Sequence, residues 1–149
     1  MTDLSKLTIK QSLDGLKNKQ FSATELAQNY IKNIENNRRL NAFITDSFDI
    51  ALKQAGDADA NIAKGTMRDL EGIPLGIKDL FCTKNIRTTC ASKMLADFVP
   101  TYESTVTKKL WEAGASCLGK LNMDEFAMGS SNTTSFFVFV FNLLKKNNS

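Results

Sequence analysis

The chain has 149 residues, 42% apolar and 23% charged, with a net charge of +3 at pH 7. That length suits one domain, and a chain of this size buries roughly 70% of its unfolded surface, so a real core is expected. The weak, interleaved charge gives no reason to expect nucleic-acid binding, and no apolar run reaches the roughly 20 residues of a membrane helix.

Thr8-Ile9-Lys10-Gln11 reads as a capping box that opens a first helix, with Ile9, Leu13 and Leu16 on its inner face. Ser22-Ala23-Thr24-Glu25 is a second box. Phe21 and Leu26 are placed around it as a staple, and Leu26, Tyr30, Ile31 and Ile34 continue the apolar stripe. Asn41 to Thr45 is a short strand or a connector. Ser47 is the expected cap of a third helix running to about Ala63, with Phe48, Ala51 and Ala55 inward. Pro74 to Ile77 suits a short buried strand, and Thr83 to Met94 is polar and irregular. Ser104 caps a helix over Thr105 to Ala113, Gly114 ends it, and Ala115 to Lys120 follows as a strand. This order predicts α/β architecture, a sheet covered by helices. Residues 135–141 (SFFVFVF) have high β propensity and no charge, an aggregation hazard if exposed. Residues 145–149 form a polar tail expected to fray.

There is no histidine. Ser-His-Asp and Cys-His catalysis within the chain are excluded, and so are zinc sites built on His; proton transfer falls to Lys, Asp, Glu, Tyr, Cys or Ser. The cysteines Cys82, Cys90 and Cys117 lack C-x-x-C spacing. They read as reduced thiols that pack, in a cytoplasmic protein without a signal peptide. A hydrolase using Cys82 or Cys90 would need a base that no residue is spaced to supply.

The stretch GIPLGIKDLF places Lys78 inside an apolar run. A buried ammonium is costly unless it is paired. Lys78 therefore either reaches solvent or pairs with Asp79 or another acid, or it sits in a dry site as a base with a lowered pKa. Spacing leaves both readings open.

GIPLGIKDLFCTKNIRTTCAS, followed by GASCLGKLNMDEFAMGSSN, resembles the front part of the amidase signature family. The likeness is strongest at Gly72–Asp79, at Arg87-Thr88-Thr89 and at residues 122–131. It implies an incomplete amidase fold: residues 1–137 as the N-terminal part of an amidase domain, with its share of a mixed sheet, and 138–149 as a divergent apolar, then polar tail. In the family a lysine at the place of Lys78 works through a serine in a cis peptide to a nucleophilic serine. The loop matching Met128, Gly129, Ser130 and Ser131 lies beside the amide substrate. Hydroxyls need such a base to become nucleophiles. The likeness is greatest to the branch that hydrolyses glutamine and passes ammonia on for Gln-tRNA formation, with B and C subunits and with ATP and Mg used at the B subunit. No cofactor or metal is expected in this chain itself.

Both relay serines belong to a GGSSGGS-like segment that is not present here, and Ser130-Ser131 matches the earlier loop instead. The chain alone is therefore expected to be inactive; docking to the other subunits without chemistry is the alternative. Within the matched part, Asn85 and Val138 stand where the family has glycine, and Leu121 where it has threonine. Asn142-Leu143-Leu144 replaces an N-P-W-like turn. The changes at Val138, Leu143 and Leu144, each within one base substitution, lead to the expectation of a gene remnant whose reading frame stops early, with sheet edges left unpaired.

Overall fold

The structure is a computed structural model and describes residues 4–142. Both capping boxes form. The Thr8 hydroxyl accepts from Gln11 N (3.2 Å), and Gln11 Oε1 accepts from Thr8 N (2.8 Å), opening α1, Ile9–Lys17. Ser22 Oγ accepts from Glu25 N (3.0 Å), and Glu25 Oε2 accepts from Ser22 N (2.7 Å), opening α2, Ala23–Asn36. Helix α3 spans Phe48–Ala63, and its Asp59 carboxylate takes the Ala23 and Thr24 amides and the Thr24 hydroxyl. That puts a negative charge at the α2 N-terminus, where the helix dipole favours it, and ties the two helices together.

Leu16, Ala23, Leu26, Ala27, Ala55, Ala58 and Ile73 form one buried cluster among these helices, with Leu13 and Phe21 packed against it. The small alanines let the helix backbones approach. Ile9 departs from the expected inner face. It is 55% exposed, because at the first helical position it lies beyond the reach of the packed stripe. Ser47 also departs from expectation. Its hydroxyl does not cap α3; it donates to the Cys117 carbonyl at 2.7 Å and ties the start of the helix to the sheet.

The sheet has three strands in the order β1 (Phe43–Asp46), β3 (Ser116–Leu121), β2 (Pro74–Lys78). The central strand β3 is antiparallel to β1 and parallel to β2. It is buried from Ser116 to Lys120, which is why its sequence reads as a continuous run rather than an alternation. The parallel pair is joined through a long loop and α4, Thr105–Glu112, which supplies the crossover such a pair needs. Ser104 caps α4, and Gly114 follows its C-cap at φ +97°. Leu110 and Trp111 of α4 pack with Leu75, Ile77, Ile86, Phe81 and Cys117 as a second apolar cluster. Among the described residues no helix is long and apolar enough to cross a membrane.

The β-prone stretch does not form a strand. The carbonyls of Phe137, Val138 and Phe139 accept from Asn41 Nδ2 at 2.6, 3.2 and 3.3 Å, and Asn122 Nδ2 also reaches the Val138 carbonyl. Phe136, Phe139 and Phe141 remain about half exposed. Val138 has φ +69°, which breaks the extended run, and Asn85 has φ +63°. These are the two positions where the family resemblance calls for glycine. Asn tolerates the left-handed region; a β-branched residue there is strained. The polar tail expected at 145–149 lies outside the described residues.

Replacing Val138 with glycine therefore stabilises the protein by about 1 kcal/mol or more, and Asn85→Gly changes it by less. Urea unfolding of both variants checks this. A Val138→Gly variant no more stable than the parent would show that the left-handed backbone there is not strained.

Candidate active site

Strand β2 ends at Lys78, and side chains alternate across it. Ile77 and Asp79 point to one face and Lys78 to the other. Lys78 is exposed, and its ammonium makes no hydrogen bond or ion pair with any described residue. It reaches solvent, and it does not pair with its neighbour Asp79.

Asp79 is fully buried and committed elsewhere. Its Oδ2 accepts from Thr89 N (3.0 Å), from the Thr89 hydroxyl and, more weakly, from Ala91 N (3.4 Å). Its Oδ1 faces Lys120 Nζ at 3.5 Å. Lys120 lies on β3 beside Ile77 and is also fully buried. Its ammonium donates to the Phe81 carbonyl (2.8 Å) and to Thr88 Oγ1 (2.7 Å). Burial holds the Lys120 ammonium below the ordinary lysine range, and the Asp79 charge opposes that fall. The dry lysine of this region is thus Lys120, not Lys78. Sequence reasoning missed it, although the signal was present: Lys120 is a lone charge near the end of an apolar strand, as Lys78 is.

The Thr-rich loop after β2 is irregular but not loose, since Thr83, Thr88, Thr89 and Ser92 are all buried. Cys90 and Ala91 both adopt positive φ, at +51° and +56°. Cys90 N donates to the Asp79 carbonyl, and the Cys90 carbonyl accepts from Phe126 N. The turn so formed links the end of β2 to the loop over 124–134. In that loop Asp124 is the organising group. Its carboxylate accepts from the amides of Ser131, Asn132, Thr133 and Thr134 and from the Thr134 hydroxyl. Those backbone bonds, that of Asn132 foremost, hold its pKa below the usual carboxylate value. Met128, Gly129 and Ser130 ride on the outside of this loop, exposed. A Cβ at Gly129 would sit 2.5 Å from Asp124 Cγ, so glycine is required for close approach and not merely for turning. No hydrogen bond joins Lys78 to Met128, Gly129 or Ser130; the connection runs through the Cys90 turn.

The family model described as Amidase matches residues 25–149. The chain belongs to the amidase family. Its relatives include the A subunit of the glutamyl-tRNA(Gln) amidotransferase of Hyphomonas neptunium, 57% identical over 137 residues, and its counterpart from Rickettsia bellii, 56% identical over 137 residues. Each match takes in 92% of this amidase chain and 28% of the relative, so the chain spans between a quarter and a third of their length. Among solved structures, the A subunit of the glutamyl-tRNA(Gln) amidotransferase of Thermotoga maritima superposes with a TM-score of 0.74 at 32% identity, covering 95% of this chain and 28% of that one. The α/β fold described above is therefore the N-terminal portion of an amidase fold.

The other resemblance block, Arg87-Thr88-Thr89, is scaffolding in this amidase chain. The Arg87 guanidinium binds Thr45 Oγ1 and the carbonyls of Ile44 and Ala96, and lies over the Phe137 ring. Thr88 and Thr89 serve Lys120 and Asp79. Leu121, where the resemblance calls for threonine, is the register partner of Lys78, so the strand neighbour of that lysine offers only methyl groups. All three cysteines are free thiols. Burial first, and then the Asp79 charge, push the Cys90 thiol up, and burial does the same for Cys117. Neither is poised as a thiolate nucleophile. Among the described residues no group of His, Cys, Asp and Glu could hold a metal ion.

Lys120→Met strands the Asp79 carboxylate without its counter-ion and is expected to cost about 3–5 kcal/mol. Adding Asp79→Asn recovers part of that loss, as urea titrations of the two variants will show. Equal stability of Lys120→Met and the parent would contradict the pairing.

Asp124 gives a pH signature. Because its folded-state pKa is depressed, its contribution is complete above the unfolded value of about 3.9 and is lost as pH falls through the folded value. Asp124→Asn is therefore less stable than the parent near neutral pH, and the gap in melting temperature closes as pH drops below about 4. A gap that stays constant from neutral to acid pH would mean the carboxylate charge plays no part.

Proposed function

We propose that this chain carries the proton-accepting part of an amidase site, with Lys78 as the base, and that it corresponds to the front part of a glutamyl-tRNA(Gln) amidotransferase A subunit. The observation that carries this reading is the separation of Lys78 from Asp79. A carboxylate beside an amine holds it protonated, and a base must be free of such a partner. Here the adjacent carboxylate turns inward and is balanced by Lys120, so Lys78 is left with no acid against it.

The reaction such a base would serve is the one the family relay implies. A neutral Lys78 amine takes the proton of a serine hydroxyl, through a second serine in the family relay. The freed oxygen attacks the amide carbonyl, and the C–N bond breaks as the proton passes to the leaving nitrogen. Water then releases the acyl group. The lysine must be enclosed for this chemistry, because water keeps an amine charged at neutral pH. In the described residues Lys78 is open to solvent; the enclosure and both serines would come from the polypeptide that follows this region in the relatives. Glutamine would be the amide, ammonia the product and Glu-tRNA(Gln) its destination, with B and C subunits as partners and ATP with Mg used at the B subunit. The Asp124-bound loop at Met128, Gly129 and Ser130 would hold the substrate amide with backbone groups.

A second reading is supported by the closed cluster of α1, α2 and α3, which does not involve Lys78. The chain would then dock the partner subunits without chemistry. Capture of the B and C subunits by the chain, undiminished in Lys78→Ala, would favour this reading.

Ammonia release from glutamine separates the two. The chain alone gives only background. A continuous chimera, with this sequence followed by the remainder of the Hyphomonas subunit, releases ammonia, and Lys78→Ala lowers turnover by about 100-fold or more. Turnover by the chimera that survives Lys78→Ala would overturn the assignment.

A further inference from the structure

Between Glu125 and Lys145 the sequence has no charged residue, and residues 136–141 are all Phe or Val. A β-prone run without charge, proline or glycine stacks readily on an identical copy, because no like charges oppose in-register pairing. Flanking charges usually guard such a run. Here they are distant, and the backbone is tied instead, largely by asparagine side chains from outside the run. Asn41 Nδ2 faces the carbonyls of Phe137, Val138 and Phe139. Asn122 Nδ2 donates to the Val138 carbonyl at 2.8 Å, and Asn132 Oδ1 accepts from Val140 N at 2.6 Å. Phe136 N and Phe141 N donate to the Ala91 and Leu40 carbonyls. The apolar groups are left in solvent: Phe136, Val138, Phe139 and Phe141 are between 45% and 54% exposed. Val138, at φ +69°, holds a backbone that a β-branched residue disfavours and that an extended strand would relieve. The closed form is thus opposed by local strain and maintained by three asparagines.

We propose that residues 136–141 are a self-association surface whose partner is the same run in a second copy of this chain, and that Asn41, Asn122 and Asn132 form a clasp that keeps it closed. Opening the clasp frees the tied carbonyls and amides, lets Val138 extend, and allows two copies to pair as strands. The second copy is argued from charge: an uncharged run offers an ionic partner nothing to bind, and offers its own copy no repulsion. The clasp does not include Lys78, Asp79 or Lys120, and it stands apart from the amidase reading.

Asn41 and Asn132 both have left-handed backbone, at φ +52° and +56°, so glycine removes the amide while keeping that conformation accessible. Asn85, at φ +63°, makes no hydrogen bond to the run, and Asn85→Gly is the matched control. Thioflavin T fluorescence with light scattering follows assembly of the 149-residue chain from purified monomer. Asn41→Gly and Asn132→Gly are expected to shorten the assembly half-time about fivefold or more, as loss of clasp hydrogen bonds raises the open population. Asn85→Gly leaves it unchanged. Phe139→Lys, which puts a repelling charge in every copy, slows assembly of both the parent and Asn41→Gly. Protease digestion of the assemblies leaves a core that contains residues 136–141. No acceleration by the two clasp variants, equal acceleration by Asn85→Gly, a protected core elsewhere in the chain, or assembly indifferent to Phe139→Lys would overturn the proposal. Urea unfolding of each monomer accompanies the kinetics. Should a clasp variant prove unfolded, Phe139→Lys in the parent chain and the position of the protected core still decide the outcome.

Discussion

A lysine ammonium cannot be taken out of water without replacement partners, and Lys120 is taken out completely. The end of β2 is organised around that constraint. One oxygen of Asp79 supplies the counter-charge, Thr88 and the Phe81 carbonyl supply acceptors, and the other Asp79 oxygen gathers the Thr89 hydroxyl and two backbone amides. Satisfying one cation thus fixes an irregular loop that has no helix or strand to hold it. It also dictates which way Asp79 faces, and so which way Lys78 faces. A charge pair of this kind adds little net stability compared with an apolar pair of the same shape. Its effect here is on geometry: it sets the direction of a neighbouring side chain.

The same logic recurs at Asp124, on a smaller scale. A carboxylate collects four backbone amides, and the loop that carries Met128, Gly129 and Ser130 closes around it. Gly129 is drawn so close that no side chain fits between. The two anionic centres are joined by the Cys90–Ala91 turn, whose carbonyls accept from Phe126 and Phe136. The lysine end of β2 and the exposed loop are therefore parts of one hydrogen-bonded assembly, although they do not touch directly.

Much of the fold was legible in the sequence because it rests on local chemistry. The capping boxes at Thr8 and Ser22, the Ala-lined face of α3 and the Gly114 stop each depend on residues a few positions apart. What was not legible depends on distant partners. Ser47 looks like a cap but is claimed by the Cys117 carbonyl, 70 residues away. The phenylalanines after Ser135 look like a strand, but Asn41 and Asn122 take their carbonyls and Val138 turns the chain. The candidate site shows the same limit. Lys78 could be picked out, and its two readings could be framed, but Asp79–Lys120 pairing spans two parallel strands that no periodicity connects. Asn85 and Val138 add a point about substitution. Both occupy left-handed backbone where the resemblance has glycine; Asn85 tolerates that conformation, and the β-branched Val138 does not favour it.

The central claim is that the buried pair holds the end of β2 and its loop as part of the global fold. Native-state hydrogen exchange of the Thr89 amide, which donates to Asp79, tests it most directly. The account predicts that this amide exchanges only through an opening as costly as that of the amides in the central strand β3. Thr89 exchange as fast as that of the exposed loop around Ser130 would contradict it. The pair would then be a feature of the average geometry that does not hold Lys78 in place.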